Sequence, residues 1–246
     1  MASAGIGVDL EGFHAVDAAV EAGRVRRLIV ERGRIERSGY DRLVAAARAR
    51  GAEIELVDDV RPLAQTSAPQ GVVARALPLP TLDLDEAVAA EAVPALLTLD
   101  HLEDPRNVGA VVRSAVAAGV ATIVVPTRRS APLGATAFKA AVGAFERARI
   151  VEVSSIADAL RRLDRLDVWR VGLDASGERS LFGLDLLREP VVVVVGAEGR
   201  GLGRLVRERV DVVARVPMAG PVESLNASAA ATLAVFEVAR MRGAVS

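Results

Sequence analysis

Polar side chains follow two apolar runs in the C-terminal part of the chain, and they are the first candidates for chemistry. Glu198 follows the run Val191 to Val195 within a glycine-rich stretch, and Asn226 follows the run Val212 to Val216. Short β-branched runs predict strands buried on both faces, which are usually central and parallel. Open α/β sheets bind ligands at the carboxyl ends of their strands. Tight connections alone would also explain the glycines, but a polar residue in each turn favours a ligand site.

A third group of polar residues stands at a predicted helix start. Asp104 followed by Pro105 is typical of an N-cap and a first helical position. Asn107 and Gly109 are unusual in a first turn, because glycine there costs ~1 kcal/mol relative to alanine. We therefore expect something to pack closely against this turn. Arg113, further along the predicted helix, would lie on a polar edge facing the strand ends; the alternative interpretation is a surface salt bridge.

The composition excludes several kinds of site. The chain has no cysteine, which rules out disulfides, thiolate nucleophiles and cysteine-based zinc sites. His14 and His101 are the only histidines, so we predict no metal centre and no Ser-His-Asp triad. A G-x-G-x-x-G fingerprint fails because position 204 is Arg204, and Lys139, the only lysine, does not belong to a P-loop. Chemistry must come from Arg, Asn, Glu, Ser and the backbone.

Length and charge place the chain among ordinary globular proteins. Of its 246 residues, 51% are apolar and 26% are charged. No apolar run approaches the ~20 residues of a membrane span, and the N-terminus lacks a secretory pattern. We predict a cytoplasmic protein with no membrane partner. The net charge is −1, yet six arginines lie between Arg24 and Arg37; they are either balanced by Glu31 and Glu36 or form an RNA-contacting face.

The pattern along the chain predicts two domains. Residues 1–76 alternate short helices and strands and form a small α/β unit. Residues 77–94 contain three prolines and an acidic stretch, which is typical of a linker. Residues 95–246 repeat strand and helix up to a final helix, which predicts a single α/β domain with a parallel sheet.

The final helix predicts a partner. Ser224 is a natural N-cap for it. The helix is apolar on more than one side, so more than its own sheet should cover it, and we predict a homodimer. One stripe contains Leu225, Ala229, Leu233, Phe236 and Arg240, and another side carries Val235 and Val238.

Three segments together resemble the motifs of the SpoU branch of the SPOUT RNA methyltransferases, the TrmH-like family of ribose 2′-O-methylases. They are 104–109 with Arg113, 195–201, and 217–228, in the family's order and spacing. The resemblance covers the whole chain, because Gly12 to Val16 and the unit that follows resemble the family's L30e-like substrate-binding domain. One departure is Pro69-Gln70-Gly71, where the family has His-Gln-Gly; it bears on which RNA is bound.

The resemblance implies a fold that pattern alone does not suggest. It is an α/β SPOUT domain whose parallel sheet carries a C-terminal segment threaded into a deep trefoil knot, preceded by the L30e-like domain. Threaded chains are otherwise very rare. The resemblance also implies a homodimer and the cofactor S-adenosyl-L-methionine, held by the backbone at Gly196, Val216 and Leu225.

The same resemblance implies catalytic roles. Asn107, Glu198 and Asn226 would orient Arg113 and the ribose. Arg113 does not serve easily as the base, because a guanidinium stays protonated. It would instead grip a phosphate or stabilise the developing alkoxide, and the identity of the base stays open.

The resemblance predicts methylation of a ribose 2′-hydroxyl in RNA, most simply a guanosine of large-subunit rRNA. Two alternatives stay within the same chemistry: a tRNA substrate, or an rRNA adenosine whose methylation confers antibiotic resistance. An alternative of another class is a non-catalytic RNA-binding or ribosome-assembly protein. The set of Asn107, Arg113, Glu198 and Asn226 argues against that alternative.

Overall fold

The computed structural model describes residues 5–37, 39–128, 130–196, 201–222 and 224–245. These residues form eleven strands: β1 (Asp9–Glu11), β2 (Val25–Glu31), β3 (Glu53–Val57), β4 (Val72–Ala76), β5 (Ala95–Leu99), β6 (Thr122–Pro126), β7 (Arg149–Val153), β8 (Trp169–Leu173), β9 (Arg179–Ser180), β10 (Val191–Val195) and β11 (Val212–Arg215). The eight α-helices of the described part are α1 (Phe13–Glu21), α2 (Tyr40–Ala49), α3 (Leu84–Ala89), α4 (Pro105–Ala117), α5 (Ala135–Ala141), α6 (Ile156–Arg165), α7 (Arg204–Arg207) and α8 (Ala227–Met241). None of these helices is long and apolar enough to cross a membrane.

The chain divides into two compact units at positions other than the predicted ones. Unit 1 comprises Met1–Pro80 and Pro132–Arg147, and unit 2 comprises Thr81–Ala131 and Ala148–Ser246. The segment 132–147, which the predicted boundaries place in the second domain, thus belongs to unit 1. Its rings explain this, because Phe138 and Phe145 stack 4.2 Å apart and are buried there. Arg24 is buried as well and binds Glu146 from the same segment.

The segment 77–94, predicted to be a linker, is ordered from residue 81 onward as part of unit 2. It contains α3, which begins with a capping box formed by Asp83 and Glu86. Leu84 and Ala87 are buried in the hydrophobic core of unit 2. The acidic residues therefore mark a helix start, where negative charge is favourable, and not an exposed connection.

Unit 1 has a four-stranded sheet in the order β1-β4-β2-β3. Strand β4 runs antiparallel to both β1 and β2, whereas β3 runs parallel to β2. Helices α1 and α2 contact each other, and α5 contacts β1 and α1.

Unit 2 has a seven-stranded sheet in the order β7-β6-β5-β10-β8-β11-β9, and every pair in it is parallel. The predicted parallel sheet is confirmed. The five valines of β10 are buried, and β10 lies between β5 and β8 with Val195 beside Leu99 and Leu173. Three carboxyl strand ends therefore meet at one edge.

Helices α4 and α8 pack against each other in unit 2, where the Thr232 hydroxyl donates to the Ser114 hydroxyl oxygen at 2.8 Å. The sequence suggested Ser224 as the N-cap of α8, and this prediction is wrong. Asn226 takes that position, because its side-chain oxygen accepts from the backbone N–H groups of Ser228 (2.8 Å) and Ala229 (3.4 Å).

Candidate functional site

The chain lies against the end of β10 again at residues 201 and 202. A Cβ on Gly196 would lie 2.3 Å from the carbonyl oxygen of Gly201 and 2.8 Å from the nitrogen of Leu202. Any side chain at Gly196 would therefore displace backbone. The loop thus needs glycine at this position to close. Glu198 lies outside the described residues.

Two carboxylates bind the backbone N–H groups of Leu202 and Gly203. Asp174, directly after β8, accepts from the Leu202 N–H at 3.2 Å. Asp100, directly after β5, is 1% exposed and accepts from the Gly203 N–H at 3.3 Å. Since β5 and β8 flank β10, the loop is held from both sides.

The environment of Asp174 keeps it ionised. Burial raises the pKa of its carboxyl, but hydrogen bonds from Ser176 and Leu202 and the nearby charge of Arg207 outweigh burial, so the pKa is lowered overall. The ionised form is the better acceptor for backbone N–H groups. Asp174 therefore acts as a fixed negative support for the loop.

His101, one of the two histidines, contacts the Asp100 carboxylate. Its backbone is left-handed, with φ 61°, and its Nδ1 lies 2.5 Å from the second oxygen of Asp100. Asp100 thereby joins the turn after β5 to the loop after β10.

The structure brings two of the predicted catalytic residues together. Asn107 lies in the first turn of α4, whose N-cap Asp104 accepts from the Arg106 N–H as the sequence predicted. Asn226 begins α8 and donates from its Nδ2 to the Asn107 Oδ1 at 3.5 Å. The Ser228 hydroxyl also donates to the Asn226 Oδ1 at 2.6 Å. The cap thus fixes the amide of Asn226 so that its nitrogen faces Asn107.

Arg113 lies on the exposed side of α4. Among the described carboxylates none forms an ion pair with it, so the described part of the chain gives no support to the salt-bridge alternative. Within the described part of the chain, no hydrogen bond joins Arg113 to Asn107 or Asn226. Its cation thus faces outward.

The three predicted cofactor positions all lie in unit 2, directly beside the ends of strands or the start of a helix. Gly196 follows β10, half-buried Val216 follows β11, and Leu225 directly precedes the cap of α8. Strand β8 separates β10 from β11, which places Gly196 and Val216 about 10 Å apart across the sheet. A ligand that uses both must be elongated.

Sequence reasoning missed the role of Asp100 and had no reason to single out Asp174 from other loop acids. A signal was present, since each is the first residue after a strand that ends in buried residues. Only the strand order shows that these two strands flank β10.

The fold is an α/β domain with a parallel sheet, in which two carboxylates bind the chain after β10 and two asparagines meet at the starts of α4 and α8. The model of the SpoU rRNA Methylase family matches residues 94–236. A second model, described as RNA 2′-O ribose methyltransferase substrate binding, matches residues 10–82. The chain belongs to the SpoU rRNA methylase family, and the predicted resemblance is confirmed.

Similar proteins extend over the full chain. The 23S rRNA (guanosine-2′-O-)-methyltransferase RlmB of Ralstonia nicotianae is 40% identical, with 96% of each chain covered. RlmB of Pseudomonas aeruginosa is 39% identical, with 94% of this chain and 95% of the relative covered. The SpoU methyltransferase AviRb of Streptomyces viridochromogenes, solved in complex with the cofactor AdoMet, has a TM-score of 0.78 and 28% identity, covering 96% of this chain and 91% of that one.

Proposed function

We propose that this protein transfers a methyl group from S-adenosyl-L-methionine to a ribose 2′-hydroxyl of RNA, and that its substrate is a guanosine of large-subunit rRNA. The observation that carries the proposal is the contact of Asn226 with Asn107, which joins the starts of α8 and α4. It brings two of the three motifs to one place in unit 2. The RlmB relatives, which span the chain at about 40% identity, support rRNA guanosine as the substrate.

The described residues fit the cofactor. Gly196 leaves room for the backbone of its own loop, and the backbone after β10, after β11 and before α8 supplies hydrogen-bonding groups without side-chain charge. Exposed Met218 and Leu225 add apolar surface between β11 and α8. S-adenosyl-L-methionine supplies an electrophilic methyl group when it is bound at these positions.

Arg113 serves the ribose in this proposal. The 2′-hydroxyl must lose its proton as its oxygen bonds to the methyl carbon. A guanidinium with no carboxylate partner among the described residues can stabilise the developing negative charge or hold the adjacent phosphate. Asn226, fixed by its cap, and Asn107 would orient the ribose, and we assign Glu198 to the same set.

We further infer a homodimer and a knotted C-terminal segment. The predicted stripe is exposed in the single chain, which supports burial by a second copy; it comprises Ala229, Leu233, Phe236 and Arg240 on α8 and Leu225 directly before the cap of this helix. The placement of β10 inside the sheet and of β11 beyond β8 agrees with threading of the C-terminal segment. Light scattering at micromolar concentration checks the dimer, since a monomeric mass would contradict it. An rRNA substrate implies a cytoplasmic enzyme.

The decisive experiment is methyl transfer from labelled cofactor to unmodified large-subunit rRNA, followed by mapping of the methylated nucleotide. A 2′-O-methylguanosine is expected. A tRNA product or a methylated adenosine would establish one of the alternative substrates. Absence of cofactor binding by calorimetry together with absence of transfer would favour a non-catalytic RNA-binding protein.

A further inference from the structure

The chain between β8 and β9 forms a tight turn, residues 174–178, which we call the β8 turn. Strand β8 lies between β10 and β11, so the turn stands between the ends of both neighbours. Within the turn, the Gly177 N–H donates to the Asp174 carbonyl oxygen at 3.0 Å. The N–H and the hydroxyl of Ser176 both donate to the Asp174 Oδ1, at 2.9 and 2.6 Å. These bonds fix the turn internally and leave the second carboxylate oxygen of Asp174 for another segment.

One side of the β8 turn binds the chain after β10. The Asp174 Oδ2 accepts from the Leu202 N–H at 3.2 Å. Arg207, on α7, donates to the Ser176 hydroxyl oxygen at 3.0 Å and lies 3.6 Å from the Asp174 carboxylate. Leu202 belongs to the segment that lies against Gly196, a predicted cofactor position. The turn therefore holds the segment that packs on Gly196.

The other side of the β8 turn binds the end of β11. The Asp174 N–H donates to the Ala214 carbonyl oxygen at 3.0 Å. The Arg215 Nη1 donates to the carbonyl oxygens of Gly177 at 2.6 Å and Glu178 at 3.4 Å. Arg215 is the last residue of β11 and directly precedes Val216, another predicted cofactor position. The turn therefore also holds the backbone that leads into Val216.

Gly177 shows how closely the turn packs on β11. It is buried, and a Cβ there would lie 2.6 Å from the Ala214 carbonyl carbon and 2.9 Å from the Arg215 nitrogen. Its φ is not in the left-handed region, so the backbone conformation alone does not require glycine. The close approach to β11 does, because any side chain would push the turn and the strand apart.

The contacts of Arg215 all serve the turn in the part of the chain that the structure describes. The residue is exposed, and its guanidinium binds two backbone carbonyl oxygens. Among the described carboxylates none forms an ion pair with it. A surface ion pair therefore does not account for the position of this side chain.

We propose that the β8 turn sets the separation of the two cofactor segments, and that Arg215 is a positioning residue for cofactor binding. A ligand that uses both Gly196 and Val216 must span about 10 Å across the sheet. Its affinity is higher when this separation is fixed beforehand, because the ligand does not have to order the two segments itself. The inference rests on the proposed function in taking S-adenosyl-L-methionine as the ligand.

Arg215→Gln tests the link to β11, since it removes the cation and shortens the side chain. We expect the affinity for S-adenosyl-L-methionine to fall roughly fivefold, the scale of a lost hydrogen bond. Turnover at saturating cofactor should change less than about twofold, because Arg215 touches neither the ribose nor the methyl group in this inference. Calorimetry with the full chain measures the affinity, and single-turnover methyl transfer measures the rate.

Arg149→Gln is the matched control for a general loss of stability. Arg149 lies on β7, at the opposite edge of the same sheet, where its Nε donates to the Thr122 hydroxyl oxygen at 3.0 Å and its guanidinium pairs with Glu91. The substitution thus removes a comparable link far along the strand order. We expect it to lower the thermal unfolding midpoint at least as much as Arg215→Gln does, and to leave cofactor affinity unchanged.

A double variant tests whether one turn serves both segments. Asp174→Ala releases the turn from Leu202, and Arg215→Gln weakens its link to β11. If a single turn sets the separation, either change is sufficient to free it. The double variant should then bind cofactor no more than about twofold more weakly than Asp174→Ala alone, since members of one hydrogen-bond network are not additive. Independent supports would instead multiply the two losses.

Three results would overturn the inference: natural cofactor affinity in Arg215→Gln, an equal loss of affinity in Arg149→Gln, or multiplied losses in the double variant. The natural protein separates this inference from the proposed function. If it bound no cofactor, the proposed function would fail and the inference with it. If it bound and transferred the methyl group while Arg215→Gln bound cofactor equally well, the inference alone would fail.

Discussion

The two units use their polar side chains in opposite directions. At the edge of unit 2, Asp100 and Asp174 face inward and bind backbone N–H groups of the loop after β10. In unit 1, Arg26 and Arg37 are exposed and form no ion pair with a described carboxylate. Charge that is bonded to backbone fixes a loop, whereas exposed charge without an ion-pair partner stays available to an anionic ligand. Arg113 belongs to unit 2 but resembles the outward group.

The largest effect that this comparison predicts concerns Arg113. Arg113→Ala should reduce turnover by roughly a hundredfold or more, the scale of losing one preorganised charge contact in a transition state. Cofactor affinity should barely change, because backbone groups hold the cofactor. Arg113→Lys should restore little, since a point charge does not replace a planar, bidentate fork.

Single-turnover methyl transfer with saturating RNA and cofactor measures the Arg113 effect. Arg165→Ala is the matched control, because Arg165 is exposed at the end of α6 and has no ion pair with a described carboxylate. If Arg113→Ala turned over as fast as this control, Arg113 would have no role in methyl transfer.

The second effect concerns the inward group. Asp174→Ala removes the acceptor of the Leu202 N–H and should leave the loop after β10 less ordered. A hydrogen bond to a charged acceptor contributes about 1.5–3 kcal/mol, so we expect cofactor affinity to fall roughly tenfold or more. Turnover at saturating cofactor should change far less.

Calorimetry with S-adenosyl-L-methionine measures the affinity of Asp174→Ala. Asp158→Ala on α6 is the control, because Asp158 is exposed and its side chain pairs with Arg161, away from the loop. If Asp174→Ala bound cofactor as tightly as the control, the carboxylate would not be shaping the cofactor loop.

The same contrast explains what the sequence could and could not predict. The buried valines of β10, the start of α4 at Asp104 and the parallel sheet follow from local patterns, and the structure has all three. Asn107 could be singled out because it stands in the first turn of a predicted helix, and Asn226 because it follows a predicted strand. Their contact spans 119 positions and follows only from the packing of α4 on α8.

The other features could not be predicted because they depend on contacts between residues far apart in the sequence. The placement of α5 in unit 1 depends on Phe138 and on a pairing of Arg24 with Glu146 across 122 positions. The position of the Gln70 side chain depends on a hydrogen bond from the Phe13 N–H across 57 positions. The N-cap of α8 was misplaced by two residues because serine and asparagine are both good caps, and propensity alone does not choose between them.

The smallest effect is expected at Asn226, whose side chain both caps α8 and contacts Asn107. Its Oδ1 faces inward and caps α8, while its Nδ2 donates outward to Asn107. Asn226→Ala removes both functions and should lower the free energy of unfolding by about 1 kcal/mol, the usual value of a cap. Asn226→Asp keeps an oxygen for the Ser228 N–H and loses the donor to Asn107. We therefore expect Asn226→Asp to unfold like the natural protein and yet to lose turnover as Asn226→Ala does.

Denaturant unfolding and single-turnover transfer measure the two quantities separately. If Asn226→Asp kept both its stability and its turnover, Asn226 would be a helix cap alone. Its side chain would then belong, with Asp100 and Asp174, to the groups that fix the backbone.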